Sequence, residues 1–269
     1  MKPLPCLLIF IFSGWSFSCS QEKVEKGVSF KLAQQRKEKI KEVKYGLHFD
    51  IPESQNETIP GKNTIRFHYE KDGPENLYLD FNVKPSHIKS VVVNKKKVDA
   101  TIENEHIAIP GSLLVPGENE IEIGFIAEDL SLNRNEEYLY TLFVPDRAST
   151  CFPSFDQPDL KASFTLSLTV PKAWEAVSNQ RAGVSHEGKL KEYHFEPTKP
   201  ISTYQFAFAA GRFGKATDPL SGMTMYYRET DSAKVASNLE EIFKLHTQSL
   251  TWLKEYTTIP YPFSKFDFV

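Results

Sequence analysis

The histidines of this sequence do not follow the spacing of a metal-binding motif. His186-Glu187 is followed by Gly-Lys-Leu, so the second histidine of a zinc-binding HExxH helix is absent. His246 has no second ligand four residues away, and we interpret it as a core or interface histidine rather than a ligand. The sequence also lacks a GxSxG elbow, a phosphate-binding glycine loop and a CxxC pair. We therefore assign no catalytic and no metal-binding residue to this chain.

Two aspartates flank Pro158 and could be an acid–base pair or a structural turn. An aspartate before a proline turn commonly accepts hydrogen bonds from backbone N–H groups. Catalysis would need a neighbour that shifts a carboxyl pKa, and the sequence around Asp156 and Asp159 offers none. We favour the structural interpretation, in which Phe152 and Phe155 anchor the loop in the core.

The N-terminus has the pattern of an export signal. Residues 4–17 are almost entirely apolar and follow Lys2. About fourteen apolar residues suit a signal-peptide core but fall short of the ~20 that a membrane-spanning helix needs. The small residues around Cys19 resemble a loose bacterial lipobox, which predicts a signal peptide over residues 1–18 and a lipid on Cys19. Ordinary cleavage that leaves Cys19 free is the alternative.

Composition, net charge and cysteine content limit the functions that remain possible. Apolar residues make up 40% of the chain and aromatic residues 13%, which is enough for a packed core. A net charge of -3 provides no basic surface, so nucleic-acid binding is excluded. With Cys6 removed and Cys19 lipidated, Cys151 is the one remaining thiol, and we expect it to be a small buried hydrophobic residue. The chain is thus predicted to be an exported, membrane-anchored lipoprotein of a bacterial envelope, without disulfides.

Alternating apolar residues predict a β-sandwich over residues 43–214. A charged tether over residues 19–42 precedes it, in which Ser29 could cap a short helix, and we predict this tether to be a solvated spacer. From Val43 the apolar period is two, in short runs separated by turn residues about every ten positions, which is typical of antiparallel sheets. Residues 201–211 are the least polar run and are predicted to form a central strand.

The last part of the chain changes to helical spacing. Residues 214–222 (GKATDPLSG) are rich in turn-forming and small polar residues, which marks a domain boundary. A strand is predicted over residues 223–228. Apolar residues three or four apart then predict a helix from Ser232 to Tyr256. One strand and one helix cannot bury their apolar faces, so we predict that residues 215–269 begin a second domain.

The final residues also predict a larger protein. Phe266, Phe268 and Val269 alternate with polar residues and predict the opening of a strand without a partner in this chain. We accordingly interpret the chain as the front portion of a longer polypeptide.

Three segments resemble the aminopeptidase N family of zinc metallopeptidases. They are residues 152–164 (FPSFDQPDLKASF), 200–213 (PISTYQFAFAAGRF) and 259–268 (IPYPFSKFDF). The resemblance implies a mainly β fold, an antiparallel saddle-shaped β-sandwich followed by the first strand and helix of a truncated, thermolysin-like α/β catalytic domain. It also implies peptide substrates and a zinc ion in the full-length parent, held by an HExxH motif beyond Val269. This chain alone is then expected to bind no zinc and to be inactive.

The resemblance also implies a contact with substrate. In many members a Gln-x-Glu pair of the N-terminal domain holds the free amine of the peptide. The matching positions here are Leu142 and Val144, which can do neither, and Ser149 and Ser154 replace the usual Arg and Cys. We expect residues 140–144 to line the cleft through apolar contacts of Tyr140, Leu142 and Val144. The alternative function is a catalytically silent β-sandwich lipoprotein that binds peptides, glycans or a partner protein.

Overall fold

The computed structural model describes residues 24–70 and 76–269. The predicted signal peptide and the lipidation site Cys19 lie outside the described residues, and export and the domain boundaries stay predictions. None of the helices in this part of the chain is apolar enough over a sufficient length to cross a bilayer.

The described residues form a mainly β fold, as predicted, with two α-helices near the two ends. The helices are α1 (Phe30–Lys39) and α2 (Ser232–Thr257). The strands are β1 (Ile40–Asp50), β2 (Ile59–Tyr69), β3 (Leu77–Asp80), β4 (Ile88–Val93), β5 (Lys96–Val98), β6 (Ile102–Glu103), β7 (His106–Ile109), β8 (Gly117–Ala127), β9 (Leu132–Arg134), β10 (Tyr138–Thr141), β11 (Ala162–Pro171), β12 (Glu175–Ser178), β13 (Ala182–Glu187), β14 (Leu190–Phe195), β15 (Phe208–Gly211), β16 (Gly214–Thr217), β17 (Thr224–Tyr227) and β18 (Asp267–Phe268).

The largest sheet in this part of the chain has the strand order β13-β14-β11-β1-β2-β8-β4-β5. Its strands alternate buried and exposed residues because one face packs on the core and the other meets water. Most neighbours are antiparallel, but β1 and β11 run parallel, with Val43 opposite Ala162 and Asp50 opposite Thr169. The predicted antiparallel sheets are therefore confirmed, with a parallel pair at the centre of the largest one.

Two smaller sheets cover the inner face of the large one. Their orders are β12-β15-β10-β9 and β3-β7-β6. Aromatic rings join the layers, since the ring centroid of Phe49 in the large sheet lies 5.1 Å from that of Phe208 in β15. Phe81 of the smaller layer packs edge-to-face on Phe125 at 5.7 Å. This sheet-on-sheet core confirms the predicted sandwich.

The prediction of one strand over residues 201–211 is wrong. The strand in this run is only Phe208–Gly211, as β15, and Ile201 forms an isolated bridge with Ala162. Thr203–Gln205 is a 3-10 turn, because Ser202 and Gln205 form a capping box that satisfies the backbone before the strand can begin. The strand β15 is nevertheless central in its sheet, between β12 and β10.

The C-terminal part forms a small sheet with the long helix. β17 pairs antiparallel with β16 and parallel with β18. The expectation that the last residues lack a strand partner is thus wrong, since Phe268 lies opposite Met225. Asp231 caps α2 by accepting from two backbone N–H groups. Phe243 is the buried residue of α2, and it packs with Met223 and Met225.

The prediction of a solvated N-terminal spacer is wrong for α1. Ser29 caps this helix, as expected from the sequence. Leu32 and Arg36, however, are buried against the sandwich. The spacing of charges could not reveal this, because the partner of Arg36 is Asp80, which lies in another element.

Candidate functional site

The loop of residues 152–159 is a structural element of the core. Phe152 and Phe155 are fully buried, as predicted. Asp156 accepts a hydrogen bond from the backbone N–H of Ser149 (2.9 Å) and one from the hydroxyl of Thr203 (2.6 Å). Burial raises the pKa of Asp156, and these hydrogen bonds only partly oppose the shift. Both oxygens are occupied by protein donors, which supports the structural interpretation of this aspartate.

A second buried carboxylate lies directly behind this loop. Asp80 accepts from the backbone N–H of Asp156 at 2.7 Å and from both terminal nitrogens of Arg36. Nδ1 of His106 lies 2.8 Å from Oδ1 of Asp80. Burial alone would raise the pKa of Asp80, but the charge of Arg36 and the contacts with His106 and Arg36 outweigh it and hold the pKa below its usual range.

The described residues do not fit the zinc ion that the resemblance implies. No group of three histidine, cysteine or acidic residues in this part of the chain is placed to hold a metal. The His106–Asp80 contact supplies two groups of these types, but Arg36 and a backbone N–H already use the oxygens of Asp80. Cys151 is buried and has no disulfide partner, and burial raises the pKa of its thiol. We therefore assign no metal-binding role to these residues.

The predicted substrate-proximal residues share one exposed face. Strand β10 and the residues after it alternate strictly, so that Leu139 and Phe143 are buried. The side chains between them are exposed, with 43% of Tyr140, 47% of Leu142 and 51% of Val144 accessible to solvent. The structure therefore brings these three side chains together as an apolar face.

A groove of about 820 Å3 begins at the Tyr140 end of this face. Its walls are strand β10 and its neighbours on one side and the C-terminal segment of residues 261–269 on the other. Seven aromatic side chains contribute to the lining: Tyr138, Tyr140, Phe208, Phe213, Tyr261, Phe263 and Phe266. Leu142 and Val144 are not among the lining residues and continue the same face outside the groove.

Polar contacts fix the C-terminal wall of the groove. Lys199 donates from Nζ to the carbonyl of Pro262 at 2.8 Å, and the Ser264 hydroxyl donates to Gln180 at 3.1 Å. Within the segment, Lys265 and Asp267 form a largely buried ion pair of 2.6 Å. The C-terminal wall is thus held against the sandwich through Lys199 and Gln180.

Sequence reasoning missed most of this groove. Arg228 lies over the ring of Tyr138, with 4.3 Å from its guanidinium carbon to the ring centroid, and pairs with Glu137 at 2.8 Å. Arg228 lies 91 positions after Glu137, and the three residues carry no motif. The dense aromatic spacing of residues 261–268 is the available signal, but it indicates a strand and the family resemblance rather than a groove wall. His246 contacts the helix carbonyl of Ile242 and stacks on Phe268, in agreement with its predicted packing role.

Comparison with known proteins places most of the sandwich in one family. Residues 40–205 match the Peptidase M1 N-terminal domain. Aminopeptidase N of Streptomyces lividans is 30% identical over 261 residues, which cover 87% of this chain and 28% of that protein. Aminopeptidase M1-A of Oryza sativa subsp. japonica is 32% identical, with 61% of this chain and 18% of that protein covered. The human thyrotropin-releasing hormone-degrading ectoenzyme is 29% identical over 66% of this chain and 17% of its own length. The chain therefore spans less than a third of these relatives.

Proposed function

The chain belongs to the peptidase M1 family through its N-terminal domain, and we propose that it forms the scaffold and one cleft wall of a zinc aminopeptidase. The complete protein removes N-terminal residues from peptides. The match over residues 40–205 is the observation that carries this proposal. It is supported by the lengths of the relatives and by the absence of an HExxH motif from the sequence.

In this proposal the catalytic zinc and its ligands belong to polypeptide that follows Val269. A zinc ion in such an enzyme polarises the scissile carbonyl and activates water. The residues of this chain serve instead to position the peptide and to exclude water from one side of it. Their contribution is therefore binding and orientation rather than proton transfer.

The proposed wall is the apolar face of Tyr140, Leu142 and Val144. All three side chains are exposed on one side of β10 and its extension. An apolar wall gains free energy by burying substrate carbon, about 25 cal/mol per Å2. It offers no carboxylate at positions 142 and 144 to hold a substrate amine. Amine recognition, where it occurs, must then come from elsewhere in the complete protein.

We also propose that the protein is exported and anchored by lipid on Cys19. The apolar segment of residues 4–17 and the small residues around Cys19 support this proposal. The peptides that it cleaves would then be those of the bacterial envelope.

Wall variants of the complete protein test the cleft assignment. Tyr140→Ala, Leu142→Ala and Val144→Ala should raise KM for aminoacyl fluorogenic amides or lower kcat, because substrate contacts are lost. Val184→Ala is the matched control, since Val184 of β13 is exposed to a similar extent (46%) but lies in another sheet. Equal KM and kcat values for the wall variants and the control would show that these three residues do not contact the substrate. A complete protein that binds peptides without cleaving them would instead favour the silent binding module.

A further inference from the structure

The N-terminal segment of residues 24–39 lies outside the family match and is bound to the sandwich along its length. The match begins at residue 40, so the segment itself precedes the matched residues. At its helical end, Arg36 is buried and its Nη2 also donates to the carbonyl of Tyr78 at 2.9 Å. Nε2 of Gln157 donates to the carbonyl of Ala33 at 3.0 Å, and Lys37 pairs with Asp159 at 3.0 Å. Helix α1 is therefore fixed on the loop of residues 152–159.

At its other end the segment is bound to the hairpin of β6 and β7. Nε2 of His106 lies 3.0 Å from the carbonyl oxygens of both Glu25 and Gly27. Carbonyl oxygens only accept hydrogen bonds, so this nitrogen carries a proton. The imidazole ring is almost completely buried, and it joins the segment to Asp80 of β3 through its other nitrogen.

The tip of the same hairpin holds the first described residues. Nδ2 of Asn104 donates to the carbonyl of Val24 at 2.8 Å. Lys26 and Glu105 form an ion pair of 3.0 Å. Asn104 and Glu105 both have positive φ, 48° and 71°, as a two-residue hairpin turn requires. The segment of residues 24–39, which is bound to the sandwich at both ends, is called the clasp.

We propose that the β6–β7 hairpin faces the membrane, because the clasp holds the anchored end of the chain against this hairpin. The inference rests on the proposed lipid anchor at Cys19. Val24 is five residues from Cys19. Five residues span at most about 18 Å even when fully extended, so a lipid on Cys19 holds the hairpin tip close to the headgroups.

Exposed apolar residues of the clasp are suited to that surface. Phe30 is 78% exposed and Val28 is 38% exposed, although both lie within three residues of the docked Gly27. Aromatic and aliphatic side chains beside a lipid anchor add binding energy at the membrane interface, where one acyl chain alone holds a protein only weakly. The partner of this surface is thus a lipid bilayer.

Photo-crosslinking on vesicles tests the orientation. The chain from Cys19 to Val269 is coupled through the Cys19 thiol to phospholipid vesicles that contain a maleimide lipid; Cys151 is buried and does not compete. p-Benzoylphenylalanine is placed at Glu103 of the hairpin or, as the control, at Leu220, which is 95% exposed. After irradiation, mass spectrometry should find severalfold more lipid adducts at Glu103 than at Leu220.

Substitutions that detach the clasp from the hairpin provide a second test. Asn104→Gly suits the positive φ and removes the amide donor, and it is combined with Lys26→Ala and His106→Gln. The adduct yield at Glu103 should then fall, because helix α1 stays docked and the 10 residues from Cys19 to its cap Ser29 allow about 36 Å of extension, twice the reach of the five residues before Val24. If the triple variant does not fold, Asn104→Gly with Lys26→Ala keeps the buried histidine and should lower the yield in part.

Equal yields at Glu103 and Leu220 in the unaltered chain would overturn the proposal, as would a yield at Glu103 that clasp opening does not change. The coupling is chemical, so neither result depends on lipidation in the cell. The lipid itself is tested separately by the mass of the chain isolated from membranes, and activity of the complete protein by its kinetics.

Discussion

Arg36 and Asp80 form a bidentate ion pair between helix α1 and strand β3. Nη1 lies 2.8 Å from Oδ2, and Nη2 lies 2.6 Å from Oδ1. Only 1% and 6% of the two side chains are exposed. The same carboxylate accepts from the backbone of Asp156, so the pair joins the clasp to the loop that carries the family signature.

Removing the charge of Asp80 should destabilise the fold strongly. In Asp80→Asn the shape is kept, but Arg36 is left buried without a counterion. Breaking a buried ion pair on one side typically costs about 3–5 kcal/mol of unfolding free energy. Urea unfolding followed by circular dichroism measures this loss.

The matched control is the exposed pair of Arg66 and Glu120, which are 2.7 Å apart. Glu120→Gln should cost less than about 1 kcal/mol, because water screens the pair. Similar losses in the two variants would contradict the role that we give to the buried pair.

The two buried aspartates should change stability with pH in opposite directions. The pKa of Asp80 is lowered in the folded state, so the folded state binds fewer protons and stability is lost as pH falls below about 4, the unfolded value. The pKa of Asp156 is raised, so its contribution is present at low pH and is lost as pH rises from about 4 through the folded value.

Unfolding free energies of two variants as a function of pH separate these contributions. Relative to the unaltered chain, Asp80→Asn should flatten the profile below about pH 4, and Asp156→Asn should remove a decline above it. Profiles that keep the slope of the unaltered chain in both windows would show that neither carboxyl is perturbed as stated.

Gly211 should not tolerate a side chain. A Cβ atom there would lie 2.5 Å from Cβ of Tyr138 and 2.8 Å from the carbonyl oxygen of Glu137. Strand β10 would have to move, which also displaces the groove wall. Gly211→Ala should cost about 1–3 kcal/mol in thermal or urea unfolding.

Gly183 of β13 is the control for this substitution. A Cβ atom at Gly183 meets no heavy atom within 4 Å. Gly183→Ala should therefore be neutral or stabilise the chain by up to about 1 kcal/mol. Equal destabilisation by both alanines would show that the contact with β10 is not the cause.

Thiol labelling distinguishes lipidation from ordinary cleavage. Cys151 is buried, and burial raises the pKa of its thiol, so it should react with a thiol reagent only after unfolding. Chain isolated from cells should thus show no rapidly reacting thiol if Cys19 carries lipid. One rapid equivalent would indicate that Cys19 is free, and rapid labelling of Cys151 in the folded chain would contradict its burial.

Local patterns predicted the elements that depend on local causes. Period-two burial in β1 and the caps of α1 and α2 at Ser29 and Asp231 follow from residues adjacent in sequence. The interruption of residues 201–211 could also have been found, because Ser202 and Gln205 have the spacing of a capping box.

Features that join distant elements were not predictable in this way. The burial of Arg36 depends on Asp80, 44 positions later, and the parallel pairing of β1 with β11 joins Val43 to Ala162. Likewise, Tyr140 lines the groove only because the segment around Tyr261 packs opposite it. A single sequence gives no measure of such pairings. The resemblance of residues 152–164, 200–213 and 259–268 indicates the family, and the match over residues 40–205 confirms it.

The central claim is that this chain supplies a wall and that the metal site is built by polypeptide after Val269. The most direct test compares the 269-residue chain with the complete protein, each incubated with zinc and an aminoacyl fluorogenic amide. We predict zinc-dependent release of the fluorophore, and one tightly bound zinc per molecule, by the complete protein only. Metal-dependent turnover by the 269-residue chain alone would contradict the account.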